Sequence, residues 1–298
     1  MKSTASILFT FLICVGPFAS AAQVEAKPVQ TALTATKDKA CSTAYQRLYG
    51  KGSAQIRVAF GYKDTRPSRF VGDRHERIAF VQKILKPCEG QRQDCGFTRN
   101  PDHADLFTKT IQGPDQKPVK IELLVTHSSL TSDDSSNRLN PFQKWQSSYA
   151  QKAFTGGLER ADVVLYNGHS RFGGGPDFEP PRLTAEGDVD ASYYQNSRPG
   201  FQKIREKLRE RSASDSKEEG LKILGLFSCA SSQHFADGVI RDSDAGVVSS
   251  QALIYYADAL DNSLAALSGL LEMRCERDLK TLIRQNSPIQ GAQMQGFF

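Results

Sequence analysis

Three histidines and one cysteine fall at the ends of apolar runs, and an imidazole beside a thiol is a pair that can do chemistry. His127 lies in Thr126-His127-Ser128-Ser129, and His169 in Asn167-Gly168-His169-Ser170-Arg171. Cys229 lies in Ser228-Cys229-Ala230-Ser231-Ser232, with His234 close behind. A thiol is mostly protonated at neutral pH and becomes a strong nucleophile when a neighbouring base or cation draws its proton away. The pair therefore predicts acyl transfer, with Cys229 as nucleophile and His169 as acid/base partner. Backbone N–H groups at Ser170 and Cys229 are the donors that would hold an oxyanion. Gly168 permits a tight exit from the strand, turning the imidazole over the sheet edge. His127, Asn167, Arg171, Asp177, Ser228 and His234 are the further residues expected to shape a substrate pocket, together with the Gly/Pro-rich loop 173–183.

The cysteine count supports a special place for Cys229. The chain has six cysteines, and Cys14 sits in an N-terminal export signal. Lys2 supplies the positive start, Ile7 to Phe18 the apolar run, and Ala19-Ser20-Ala21 the small-residue cleavage site. That run is too short to span a bilayer, and no later stretch reaches the required length of about 18 apolar residues. The expected product is a periplasmic or secreted protein in an oxidising compartment, cleaved near Ala21. Cys41, Cys88, Cys95, Cys229 and Cys275 then remain, an odd set. Cys88 and Cys95 flank a short polar loop and suit a local disulfide, while Cys41 and Cys275 are able to join the two ends of the domain. With those pairings preferred, Cys229 is the leftover thiol; the connectivity itself stays open.

These residues need a scaffold. Gln55 to Tyr62 alternates as a strand, and Leu106 to Ile111 with Val119 to Thr126 reads as a hairpin. Val163 to Tyr166, Leu221 to Phe227 and Gly246 to Gln251 read as further buried strands. Between them stand helices: one opened by a capping box at Asp73-Arg74-His75-Glu76, with Ile78, Val81, Ile84 and Leu85 on its face. Another is capped by Asn140 and ended by Gly156-Gly157, with Phe142, Trp145, Tyr149 and Phe154 on its apolar face. A basic helix is marked by Phe201, Ile204 and Leu208, and a C-terminal one by Leu260, Leu264, Leu267 and Leu271. Ser231 or Ser232 suits the cap of a short helix. Alternation of this kind implies an α/β fold, a mostly parallel sheet with helices on both faces. In such sheets ligands bind beyond the carboxyl ends of the strands, which is where His127, His169 and Cys229 stand. The predicted divisions are a signal over 1–21, a flexible leader over 22–50, and one α/β domain over 51–298 with an N-terminal extension that includes the hairpin.

A buried strand ending in His, followed by one ending in a small residue and Cys, resembles the caspase–gingipain–legumain superfamily of cysteine peptidases. The matching segments are Val163-Val164-Leu165-Tyr166-Asn167-Gly168-His169-Ser170 and Ile223-Leu224-Gly225-Leu226-Phe227-Ser228-Cys229. The resemblance implies a caspase-like three-layer sandwich, peptide or protein substrates, and His169 and Cys229 as the dyad, with no cofactor and no metal. Ser170 stands where that superfamily usually has Gly, and the caspase Gln-Ala-Cys-x-Gly sequence is absent.

Other chemistries use the same strand ends. Gly168-His169-Ser170 begins like a serine-hydrolase elbow, but Phe172 occupies the place of the second Gly. His127, His169, Cys229 and His234, with Asp177, have the ligand types of a zinc site but no short-spaced pair. A catalytically inactive binding module on the same fold is the remaining alternative. Nucleic acid is not indicated, since 38 basic against 33 acidic residues give a net charge of only +5.

Overall fold

The run Val163-Val164-Leu165-Tyr166-Asn167 has no polar face, so a strand there must be covered on both sides. The computed structural model covers it in that way. It describes residues 35–63, 72–90, 92–212, 220–241, 243–286 and 292–296. The predicted signal over 1–21, its cleavage site and residues 22–34 of the leader lie outside the described residues.

The chain begins with α1 (Ala35–Tyr49), β1 (Ser53–Phe60) and α2 (Asp73–Leu85), followed by β2 (Thr98–Arg99), β3 (Leu106–Gln112) and β4 (Pro118–His127). Next come α3 (Asp134–Leu139), α4 (Gln143–Arg160), β5 (Val163–Asn167), α5 (Ala191–Ser197), α6 (Pro199–Ser212) and β6 (Ile223–Phe227). The last elements are α7 (Ser231–His234), β7 (Gly246–Ser250), α8 (Tyr256–Leu271), α9 (Glu276–Asn286) and β8 (Ala292–Gln295). The eight strands form one sheet in the order β2-β3-β4-β1-β5-β6-β7-β8. Its centre, β4-β1-β5-β6-β7, is parallel, and the outer pairings are antiparallel.

Successive strand side chains enter different cores. Ile56, Val58, Phe60, Val163 and Leu165 join one cluster with Tyr45, Phe80, Leu267 and Leu279 from α1, α2, α8 and α9. Ala59, Val164, Tyr166, Leu224 and Leu226 join the other with Phe154, Phe201 and Ile204 from α4 and α6. This is the α/β three-layer arrangement. Full burial of such a side chain contributes about 1.5–3 kcal/mol, against about 1 kcal/mol net for a hydrogen bond. The two apolar layers therefore outweigh the strand hydrogen bonds.

Several expectations change. The flexible leader is helical from Ala35, because Cys41, Tyr45, Leu48 and Tyr49 pack into the first cluster, and the Tyr49 hydroxyl donates to Leu270 O at 2.9 Å. The predicted hairpin is β3–β4 of the main sheet rather than part of an appended extension. Asp73 does not cap α2; the N-cap is Gly72, at φ 123°, and Asp73 turns inward. Helix α4 runs through Gly156-Gly157 to Arg160, and it buries Gln143, Gln146, Ser147, Ala150 and Phe154. Phe142 and Trp145 are 69% and 66% exposed, so the aromatic residues at its start do not mark its core face. Loop 173–183 is packed at its start. Gly200 N donates to Gly174 O at 2.7 Å, and a Cβ on Gly174 would lie 2.5 Å from Tyr194 O, so only glycine fits.

Both preferred disulfides are present, Cys41–Cys275 with Cα atoms 5.7 Å apart and Cys88–Cys95 at 5.1 Å, and Cys229 is free. The first ties α1 to the turn between α8 and α9. No described helix is long and apolar enough to cross a membrane.

Candidate functional site

The sheet register aligns the carboxyl ends of four parallel strands. His127 pairs with Phe60, Phe60 with Asn167, and Asn167 with Phe227. From β1 the chain goes to β4 on one side and then to β5 on the other, so the connections part at the β1/β5 boundary. A crevice forms at such a switch point. Here Lys63, Gly168, His169, Cys229, Ile254, Tyr255, Tyr256 and Ala259 line a pocket of about 160 Å³. His169 and Cys229 thus face one space, from adjacent strands.

The two loops that carry them are fastened together. Ser170 Oγ donates to Cys229 O at 2.6 Å. The backbone N–H groups of Ser170 and Cys229 have no hydrogen-bond acceptor among the described residues. After Cys229 the chain turns sharply at Ala230, which is left-handed at φ 47°. That conformation costs a non-glycine residue roughly 1–2 kcal/mol. It is held by Ala230 N to Ala252 O at 2.8 Å, and by Ser231, whose hydroxyl donates to Leu226 O at 2.6 Å and accepts from Ser250 N at 2.8 Å. Ser231 therefore braces the turn and does not cap α7, whose N-cap is Ala230. Cys229 Sγ itself lies 3.7 Å from Ile254 O.

His169 is half-buried, but its Nε2 is shielded from solvent and has no hydrogen-bond partner. Loss of hydration, reinforced by the charges of Arg171 and Lys63, holds its pKa well below the ordinary value. The imidazole is therefore neutral at pH 7, a base in waiting rather than a standing cation. Its ring meets Tyr256 edge-on, with centroids 6.0 Å apart. Lys63 Nζ lies 4.7 Å from the centroid of the same tyrosine ring.

Lys63 is only 1% exposed. It is ion-paired with Glu76 and donates to Asn167 Oδ1 at 2.6 Å, while Asn167 Nδ2 donates to Ser263 Oγ at 3.3 Å. Burial raises the Glu76 carboxyl to about 7, against the opposing effect of Lys63. Behind this pair sits Asp73, fully buried, which accepts from Ser128 N at 2.8 Å, Ser129 N at 2.7 Å, Ser129 Oγ at 2.6 Å and Lys63 N at 3.3 Å. One carboxylate on α2 thus fastens the exits of β1 and β4.

The other pocket residues expected from the sequence divide. Asn167 supports the floor through Lys63. Arg171 is buried, with Nε 3.0 Å from Asp177 Oδ2 and Nη2 3.3 Å from Tyr62 O, and Asp177 also accepts from the Tyr194 hydroxyl at 3.2 Å. Arg171 and Asp177 therefore brace the loop after β5 and do not line the His169 pocket. Ser228 is buried behind the pocket wall, its hydroxyl without a partner. His234 lies beside Gly173 and outside this pocket.

His127 is likewise elsewhere, beside Arg77, Asp105 and Arg74. Burial first, then the Arg77 charge, lowers its pKa to about 4. A histidine with a depressed folded pKa stabilises the fold above its unfolded value near 6.5, and that contribution is lost as pH falls through 4. Glu76 and Asp73, both raised, act in the opposite direction. The difference between wild type and His127→Gln isolates the histidine. The substitution is expected to reduce the loss of stability between pH 6.5 and 4 by about 3 kcal/mol. Urea titrations at each pH measure it, and parallel curves for the two proteins would refute it.

Lys63 and Ile254 to Tyr256 draw no notice in the sequence, and Asp73 and Glu76 figure there only as a capping box. The strand-end rule, extended to β1 and β7, reaches Lys63 and residues 254–256. Nothing local marks Glu76 and Asp73, which look like ordinary first-turn helix acids.

Among the described residues no three His, Cys, Asp or Glu side chains gather to hold a metal ion. His127 and His234, two of the residues weighed for zinc, stand apart from the His169–Cys229 pocket. Ser170 Oγ, the nucleophile of the serine alternative, donates to Cys229 O. No protein-family model, curated protein or solved structure matches the chain.

Proposed function

We propose that this protein is an exported cysteine peptidase in which Cys229 and His169 form the dyad. The observation that carries the reading is that the one free thiol among the described residues and an imidazole line one pocket at the carboxyl ends of adjacent parallel strands. That arrangement agrees with the fold and dyad implied by the caspase–gingipain–legumain resemblance. The two disulfides agree with an oxidising, periplasmic or secreted location.

The thiol and imidazole share no direct hydrogen bond in the free protein, and catalytic contacts often tighten only with substrate present. As a peptide carbonyl enters, His169 takes the Cys229 proton and Sγ attacks the carbonyl carbon. The oxyanion is received by the Ser170 and Cys229 N–H groups, whose spacing is set by the Ser170 Oγ–Cys229 O bond. The suppressed pKa of His169 makes its imidazolium short-lived, so it readily returns the proton to the leaving amine. Water then hydrolyses the thioester, again with His169 as base. Iodoacetamide added to the non-reduced protein is expected to modify Cys229 alone and to end peptide hydrolysis in step. Peptide mapping by mass spectrometry reads the label. Complete labelling with hydrolysis unaffected would overturn the dyad, and a protein that binds peptides without cleaving them would identify a binding module instead.

A further inference from the structure

Beyond the turn that carries Cys229, three guanidinium groups share a cavity with one carboxylate. Arg198, Phe201, Arg205, Asp237, Gly238 and Arg241 line a space of about 230 Å³. The Arg198 and Arg205 Cζ atoms lie 3.6 and 5.6 Å from the Phe201 ring centroid, and Phe235 stacks parallel to that ring at 6.3 Å. Neither arginine is ion-paired to a carboxylate among the described residues. Arg198 donates only to backbone carbonyls, Nη2 to His234 O at 2.7 Å and Nε to Gly173 O at 3.1 Å. Arg205 Nε is buried and has no acceptor. The one acid, Asp237, reaches Arg241 at 3.1 Å, and both of those side chains are exposed. Gly238, at φ +77°, leaves room for this arrangement, since a Cβ there would lie 2.8 Å from Arg205 Nε.

A buried guanidinium nitrogen without an acceptor carries a desolvation cost, and two arginines held on one ring, neither in an ion pair, repel each other. Burial first, then the Arg205 charge, depress the Arg198 pKa, with Asp237 acting against them. One ligand removes both penalties. We infer that the Arg198–Phe201–Arg205 cavity is a binding site for a small dianion, carrying a phosphate group or paired carboxylates, which accepts N–H bonds from both guanidinium groups. Planar, fork-shaped donors suit either group. Arg198 also holds Gly173 O and His234 O, so the bound anion would brace the loops that follow β5 and β6. The site stands on its own geometry, whether or not Cys229 acts as a nucleophile.

The test uses the full chain with inorganic phosphate in one arm and succinate in the other, both at constant ionic strength set with chloride. Calorimetry is expected to show saturable one-to-one binding of at least one anion, with a matching rise in Tm. The arm that binds distinguishes phosphate from dicarboxylate. Arg205→Gln is expected to weaken binding at least about tenfold. Arg205→Lys, which keeps the charge and loses the buried Nε donor, is expected to show an intermediate loss and guards against a folding defect in the glutamine variant. Two results would overturn the inference: no saturable binding in either arm, or unchanged affinity in a folded Arg205→Lys variant.

Discussion

Cys229→Ala is expected to lower kcat/KM for peptide hydrolysis by about 10⁴-fold or more, as loss of a covalent nucleophile does in other hydrolases. Stability should hardly change. Cys229 is half-buried, its sulfur has one weak contact, with Ile254 O at 3.7 Å, and it closes no disulfide. Losing a small, partly exposed thiol of this kind costs about 1 kcal/mol. The variant therefore separates chemistry from folding. Ser170 cannot substitute, because its hydroxyl is bonded to Cys229 O. The assay is cleavage of a peptide library followed by mass spectrometry, with circular dichroism and a urea titration on the same sample. A folded Cys229→Ala protein that still cleaves at the wild-type rate would end the cysteine peptidase reading. His169→Asn should also suppress cleavage, since no other imidazole lines the pocket.

The second large effect is on stability. Asp73→Ala is expected to destabilise the fold by about 5 kcal/mol, because it orphans several buried donors that each cost about 1–3 kcal/mol when unmade. Those donors are Ser128 N, Ser129 N, Ser129 Oγ and Lys63 N. Asp73→Asn keeps one carbonyl acceptor and should lose about half as much. Desolvation raises the Asp73 carboxyl, while the same four bonds pull it back. The residue is thus tolerated by its partners rather than by its surroundings. Because Lys63 N is among the partners, a folded Asp73→Asn protein should also have a looser floor beneath His169 and a lower kcat. Denaturant unfolding at pH 7 measures the first effect. A loss below about 1 kcal/mol for Asp73→Ala would show that water replaces the carboxylate at no great cost.

Much of the scaffold is legible without coordinates. Val163 to Tyr166 and Leu221 to Phe227 read as buried strands because short apolar, strand-favouring runs followed by loop residues are a local signal. The β3–β4 hairpin is likewise announced by Gly113-Pro114-Asp115 between two apolar segments. Local signals mislead where a residue type usually found inside lies outside. Phe142 and Trp145 suggest a core face for α4, yet the sheet beneath it is met by Gln143, Gln146 and Ala150. The leader reads as polar and Ala/Thr/Lys-rich, but four of its residues, Cys41, Tyr45, Leu48 and Tyr49, join the first core cluster, where the Tyr49 hydroxyl reaches Leu270 O on α8. Their spacing, i, i+4, i+7 and i+8, is that of one helix face, but no spacing within 22–50 names the elements that cover it.

The candidate site divides in the same way. That His169 and Cys229 each end a strand is written in the chain, and so is the odd set of five cysteines beyond the predicted signal, which leaves one thiol over. That β5 and β6 are neighbours, in a register that sets Asn167 opposite Phe227, is a property of the assembled sheet. The same register sends His127 two strands away and brings in Lys63, Glu76 and Tyr256, residues from distant segments with nothing unusual around them. Strand periodicity depends on neighbours in sequence, so residue order alone determines it. The walls and charges of a pocket depend on which elements pack together across a hundred residues or more, and only the tertiary structure decides that.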